Sequence, residues 1–107
     1  MTLFSDLGLN PEILKAIEEL GFTEPTPVQA QSIPAILSDD KDILALAQTG
    51  TGKTAAFGLP ILNLIDLSKK TTQALIICPT RELCLQIERD LNKFAKFIPQ
   101  FSSVAVY

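Results

Sequence analysis

The 107-residue sequence contains no histidine and only two cysteines, Cys78 and Cys84. Histidine and clustered cysteine are the usual ligands of zinc and other transition metals, so their scarcity argues against such a site. The two cysteines lie six positions apart, a spacing that fits neither a C-x-x-C redox pair nor a zinc knuckle. We expect two reduced, partly buried thiols.

The sequence also lacks long hydrophobic runs and a large charge of either sign. No apolar run approaches the roughly 18 residues that a membrane span needs, and no basic, hydrophobic signal begins the chain. We therefore expect a cytoplasmic protein with no membrane partner. The net charge of −3 gives no global attraction to nucleic acid, so any nucleic-acid site must be local.

Hydrophobic residues make up 47% of the chain, which is enough for a core in one domain or part of one. Two helices are expected before residue 40. Asn10 and Pro11 suit the start of the first helix, and Gly21 suits its end. Thr26 can cap the second helix with Pro27 in its first turn, and Pro34 is expected to kink it.

Residues 43–54 combine an apolar run with a glycine loop. The run at 43–47 predicts a strand buried on both faces, and a helical pattern follows the loop from residue 55 to about 67. Strand, glycine loop and helix form the context of a phosphate-binding P-loop. The loop itself consists of Gln48, Thr49, Gly50, Thr51, Gly52, Lys53 and Thr54.

The residue types of this loop suit phosphate chemistry. Gly50 and Gly52 let the backbone approach an anion, whose oxygens the loop and helix amides then bind. Lys53 adds positive charge for the β- and γ-phosphates, and the Thr54 hydroxyl is a ligand for the accompanying Mg²⁺. Ala47 stands where the strict pattern has its first glycine. The alternative is a plain glycine turn between strand and helix.

The second half of the chain repeats the alternation of strand and helix. Residues 74–78 predict a buried strand that Pro79 ends, and Thr80 caps a long helix. Residues 104–107 begin a third strand. The order β-α-β-α-β, with helices preceding the P-loop strand, predicts an α/β fold with parallel strands and right-handed crossovers. The apolar stripe of the long helix comprises Leu83, Ile87, Leu91 and Phe94.

Residues 61–66 form an apolar run that ends in Asp66, as a Walker B strand does. The run follows the P-loop helix too closely to be a strand of its own. A Walker B role for Asp66 is kept as the lesser alternative.

Three blocks together resemble the N-terminal end of a DEAD-box RNA helicase. Gly21-Phe22-x-x-Pro25-Thr26-x-x-Gln29 resembles the Q motif of that family. The block from Ala47 to Thr54 is similar to its motif I, where alanine is usual in first place. Pro79-Thr80-Arg81-Glu82-Leu83 matches its motif Ia. The blocks occur in the family's order and span essentially the whole chain.

This resemblance implies a RecA-like P-loop fold that binds ATP and Mg²⁺. By resemblance, Gln29 reads adenine, Phe4 and Phe22 lie around the base, and Lys53 and Thr54 have the catalytic roles. An amide does pair with adenine N6 and N7 together, although composition alone favours a surface glutamine. The resemblance further implies that residues 48–54 form the nucleotide site. It also implies that an RNA-binding strip consists of Pro79, Thr80 and Arg81.

The sequence departs from the family in what it does not contain. The Asp-Glu-Ala-Asp and Ser-Ala-Thr blocks are not in these 107 residues, and neither is a second RecA-like domain. We expect residues 1–107 to be the N-terminal part of the first RecA-like domain of an ATP-dependent RNA helicase, inactive alone. One alternative is a binding module for ATP or RNA without turnover. A small-molecule kinase is disfavoured, because the region after Thr54 is apolar and lacks basic lid residues.

Overall fold

Helices account for all the regular secondary structure in the described part of the chain. The structure is a computed structural model, and it describes residues 2–38, 42–45 and 52–107. A 3-10 helix at Phe4–Asp6 precedes four α-helices within these ranges. They are α1 (Pro11–Glu19), α2 (Pro27–Ser38), α3 (Lys53–Leu64) and α4 (Arg81–Phe94).

Helix α1 begins and ends where the sequence predicts. Asn10 is its N-cap residue and Pro11 its first residue, and Gly21 follows its end with a positive φ of 91°. The Asn10 side chain does not cap the helix. Its backbone N–H instead donates to Asn63 Oδ1 at 2.7 Å, which ties the start of α1 to α3.

Helix α2 begins with a reciprocal pair of hydrogen bonds. Thr26 Oγ1 accepts from the Gln29 backbone N–H at 3.3 Å, and Gln29 Oε1 accepts from the Thr26 N–H at 2.9 Å. Thr26 is therefore the cap that the sequence predicts, within a capping box. The helix continues through Pro34 to Ser38.

Helix α3 begins at Lys53 and ends at Leu64, earlier at both ends than the predicted span of about 55–67. It lies at the centre of the fold and contacts α1, α2 and α4. Leu59 is wholly buried there, and Gly58 lies so close to α4 that an added Cβ would come 2.8 Å from Leu91 Cδ2. The core around α3 includes Phe4, Leu7, Leu9, Ile13, Ile17, Ile33, Leu62, Phe94 and Ile98.

Helix α4 confirms the predicted cap and most of the predicted stripe. Thr80 Oγ1 accepts from the Leu83 N–H at 3.2 Å. Ile87, Leu91 and Phe94 are buried, whereas Leu83 is 37% exposed. No helix in the described ranges has the length and apolar character to cross a bilayer.

The predicted β-α-β-α-β pattern is not confirmed, because none of the described residues is in a strand. Residues 74–78 and 104–107 are described without a ladder, and most of their large apolar side chains face solvent: Leu75 is 81% exposed and Val104 82%. A strand is defined by hydrogen bonds to neighbouring strands, and these segments make none with the other residues that the structure describes. Residues 46 and 47 of the first predicted strand lie outside the described ranges, and Leu44 is 87% exposed.

Candidate functional site

The first residues of α2 and of α3 meet through the side chain of Gln29. Gln29 is buried, with 2% of the residue exposed. Its Nε2 donates to the Gly52 carbonyl oxygen at 3.1 Å, while its Oε1 accepts from Thr26 N–H. The same Gly52 oxygen accepts from the Ala56 N–H at 3.0 Å. Gln29 therefore holds Gly52, the residue just before α3.

Gly52 fits this place because it has no side chain. Its φ is +105°, in the left-handed region that glycine tolerates. An added Cβ would lie 2.8 Å from Gln29 Nε2 and 3.5 Å from Thr26 Cγ2. A larger residue would thus strain the backbone and push the Gln29 amide away.

The first turn of α3 has the chemistry of an anion site. Lys53 and Thr54 are its first two residues and are half-buried. The backbone N–H groups of a first turn have no acceptor within their own helix, and the helix dipole adds positive potential there. With the Lys53 ammonium and the Thr54 hydroxyl, this turn has groups suited to a phosphate and its Mg²⁺. Gln48, Thr49, Gly50 and Thr51 lie outside the described residues.

The two aromatic residues expected near a base lie at different depths. Phe22 is half-buried, and its ring centroid is 5.9 Å from those of both Phe4 and Phe94. Phe4 is 5% exposed and belongs to the core cluster. Phe22 has exposed surface to offer a ligand, whereas Phe4 packs against it from within the core.

The residues of the expected RNA strip lie together at the start of α4. Pro79, Thr80 and Arg81 are all exposed. The Thr80 hydroxyl is engaged in the cap, and the Arg81 Cζ lies 4.4 Å from the ring centroid of Tyr107. Sequence reasoning did not single out Tyr107, because no local pattern links it to Arg81.

Asp66 has no place in this site. Residues 61–64 belong to α3, so the run before Asp66 is not a Walker B strand. Asp66 lies in an exposed turn, where its Oδ1 accepts from the Ser68 hydroxyl at 2.6 Å and the Ser68 N–H at 3.0 Å. These two hydrogen bonds lower the pKa of the Asp66 carboxyl below its usual value.

Comparison with known proteins agrees with the three blocks. The family model described as DEAD/DEAH box helicase matches residues 26–107. The DEAD-box ATP-dependent RNA helicase CshA of Geobacillus kaustophilus (strain HTA426) is 52% identical over 93 residues, covering 87% of this chain and 20% of that protein.

Solved structures show the same likeness. The RNA helicase Prp28 from Chaetomium thermophilum bound to ADP matches with a TM-score of 0.86 and 38% identity, covering 100% of this chain and 27% of that one. Dbp5 from S. cerevisiae bound to RNA and ADP BeF3 matches with a TM-score of 0.86 and 36% identity. The match covers 91% of this chain and 25% of that one.

The structural neighbours include an RNA helicase and a DEAD box protein from Methanococcus jannaschii, and the fold that this chain shares with them is that of a RecA-like domain. Because the family model matches most of the sequence, the chain belongs to the DEAD/DEAH box helicase family. It spans about a fifth or less of the length of the curated relatives.

Proposed function

We propose that residues 1–107 are the ATP-binding N-terminal part of the first RecA-like domain of an ATP-dependent RNA helicase. In the complete protein, ATP hydrolysis would drive RNA unwinding or remodelling. The observation that carries this proposal is the hydrogen bond from Gln29 Nε2 to Gly52 O. It joins the residue suited to adenine to the turn where Lys53 and Thr54 begin α3. Relatives named as RNA helicases, and neighbours bound to ADP or RNA, support it.

Gln29 retains the hydrogen-bonding capacity that adenine needs. A glutamine side chain has two N–H donors and an oxygen with two lone pairs. Among the described residues, Gly52 O takes one donor and Thr26 N–H takes one lone pair, which leaves one of each. Adenine presents an N6 donor and an N7 acceptor side by side, which this remaining pair matches. We propose that Gln29 reads adenine and that Phe22, with Phe4 behind it, borders the base.

Phosphate and Mg²⁺ would be held at the start of α3. Lys53 would bind the β- and γ-phosphates by charge-assisted hydrogen bonds, and the Thr54 hydroxyl would ligate the metal. When bound, Mg²⁺ neutralises phosphate charge that develops during transfer. Residues 48–52 would add backbone amides, as the order of residue types in the loop suggests.

We further propose that Pro79, Thr80 and Arg81 face the RNA backbone. All three are exposed at the start of α4, where helix amides and the Arg81 guanidinium suit a phosphate. We also propose that residues 43–47, 74–78 and 104–107 pair as parallel strands when the rest of the sheet is present. The exposed apolar side chains of Leu75, Ile77, Val104 and Val106 support this, since both faces of such strands are normally covered.

A competition experiment on the full-length protein tests the nucleotide site. ADP should displace a fluorescent adenine nucleotide better than GDP does, because guanine has an acceptor where adenine has its N6 donor. Gln29→Ala should narrow that preference. Lys53→Ala should weaken ADP binding about tenfold or more, since a hydrogen bond to a charged group contributes about 1.5–3 kcal/mol.

The control for this experiment is Lys69→Ala, which removes an exposed lysine beyond the end of α3. It should leave ADP binding unchanged. Equal binding of ADP and GDP by the unmutated protein, or unchanged ADP affinity in a folded Lys53→Ala variant, would refute the proposed site.

A further inference from the structure

Arg81 and Tyr107 form a contact that the three helicase blocks do not include. The Arg81 Cζ lies 4.4 Å from the centroid of the Tyr107 ring. This is within the distance of about 6 Å at which a cation is attracted to an aromatic face. Tyr107 is 68% exposed, and Arg81 is exposed as well. The pair therefore lies on the surface and not within the core.

An arginine that lies over an aromatic ring can still bind a phosphate. A guanidinium is planar, and its five N–H donors point outward in that plane. The contact with the Tyr107 ring restricts the Arg81 side chain and brings no charged acceptor to compete for those donors. Within the described residues, no carboxylate forms a salt bridge with Arg81. The ring thus orients the Arg81 guanidinium and leaves its positive charge in place, whereas an acidic partner would neutralise that charge.

The contact also agrees with the proposed sheet. Carboxyl ends of parallel strands meet at one edge, which is where ligands of open α/β sheets bind. Residues 74–78 would form one such strand, with Arg81 shortly after it, and Tyr107 would belong to the strand that begins at residue 104. Pairing of these two strands is compatible with the observed contact between Arg81 and Tyr107.

We propose that Tyr107 is a positioning residue that holds the Arg81 guanidinium in place for the RNA phosphate backbone. This inference rests on the proposed function, because it requires Arg81 to contact RNA. Tyr107 acts through Arg81 and through the face of its ring, so its hydroxyl is dispensable.

A double-mutant cycle in the full-length protein tests this role. The probe is a fluorescent single-stranded oligouridylate, and its affinity is measured by anisotropy over a series of salt concentrations. Tyr107→Leu should weaken binding about two- to fivefold, as expected for an exposed cation–π pair. Tyr107→Phe keeps the ring and should bind as the unmutated protein does. In an Arg81→Ala background, Tyr107→Leu should have no further effect.

The salt dependence gives a second readout that a purely structural role would not change. Arg81→Ala should reduce the slope of log K against log [salt] by the amount that corresponds to the loss of about one phosphate contact. Tyr107→Leu should also reduce this slope. The affinity for ADP should be unchanged in both Tyr107 variants.

Several results would overturn the assignment. Equal losses from Tyr107→Leu with and without Arg81 would mean that the ring contacts RNA itself. A defect in Tyr107→Phe, or a parallel loss of ADP affinity, would also contradict it. Failure of the proposed function looks different: the unmutated protein would not bind the RNA, or Arg81→Ala would bind it as well as the unmutated protein.

Discussion

Gln29 is a polar side chain at 2% exposure, and its partners explain how the fold tolerates it. Leaving a buried amide without hydrogen bonds costs about 1–3 kcal/mol. Thr26 N–H and Gly52 O satisfy it from two different helix starts. A ligand that pairs with the rest of the amide would therefore contact both α2 and the turn before α3. In the proposed function, one residue would thus link the recognition of a base to the position of the phosphate loop.

Cys78 provides a prediction at this scale. Desolvation raises the pKa of its thiol, and the hydrogen bond and charge of the neighbouring Cys84 raise it further. A higher pKa means less thiolate at neutral pH, and the thiolate is the nucleophile. In a Cys84→Ser variant, Cys78 should react with iodoacetamide more slowly at pH 7.5 than a thiol in an unfolded peptide does.

The pH profile makes this test specific. The midpoint of Cys78 alkylation should lie above the ordinary cysteine value of about 8.5. Replacing Cys84 by alanine, which keeps the desolvation but removes the polar neighbour, should move that midpoint down relative to the unmutated protein. A midpoint below the ordinary value in the unmutated protein would be inconsistent with the structure.

Residues tied to a local motif could be predicted from the sequence. Thr26 and Thr80 were identified as caps, and the structure confirms both. Gln29 was identified as an adenine reader from its block, but its bond to Gly52 was not foreseen, because it joins segments far apart in the chain. Tyr107 was missed for the same reason.

At the scale of elements, α4 carries the candidate RNA strip, and its cap fixes where it starts. Thr80 Oγ1 accepts from Leu83 N–H at 3.2 Å, and Thr80 O accepts from Cys84 N–H at 3.1 Å. The cap thereby sets the position of Arg81 as the first helical residue. An unravelled first turn would move that guanidinium.

Loss of the cap has a measurable local effect. Thr80→Ala should destabilise the first turn of α4 by about 1 kcal/mol. Hydrogen exchange followed by mass spectrometry should then show about fivefold faster exchange in peptides covering this turn.

The matched control is Thr80→Ser, which keeps the hydroxyl and should keep the protection. Peptides from α1, which does not contain the cap, should be unaffected in both variants. Equal protection of the first turn in Thr80→Ala would contradict the role of this cap.

The helices could be predicted from the sequence more completely than the strands. Helices α2 and α4 each have a capping threonine, and α1 has Pro11 at its first position and Gly21 after its end, so local signals sufficed. The start of α3 was placed two residues late, because the pattern followed apolar residues and not the glycine before Lys53. Strands need partners elsewhere in the chain, and local apolar runs do not reveal whether those partners are present.

At the scale of the whole molecule, the proposed function assigns parts for nucleotide binding to these 107 residues, but not the parts for rapid turnover. Phosphoryl transfer requires a Walker B acid, a positioned water and cationic stabilisation besides the P-loop. Asp66, the lesser candidate for that acid, lies in a surface turn with Ser68. A missing general base reduces the rate by about 10²–10⁴, and a missing arginine finger by about 10³–10⁵.

The net charge of the molecule predicts that these 107 residues alone bind RNA weakly. With a net charge of −3, the 107 residues attract a polyanion only through local groups such as Arg81. RNA binding by these residues alone should therefore be weak and strongly dependent on salt.

The central claim, that this chain forms the ATP site of an RNA helicase, is tested most directly by phosphate release. The full-length protein and the isolated 107 residues are each given ATP, Mg²⁺ and saturating RNA, with Lys53→Ala as the control for contamination. We predict RNA-stimulated turnover by the full-length protein that Lys53→Ala abolishes, and no detectable turnover by the 107 residues alone. Turnover that survives Lys53→Ala, or turnover near 1 s⁻¹ by the 107 residues, at the low end of typical enzymes, would contradict it.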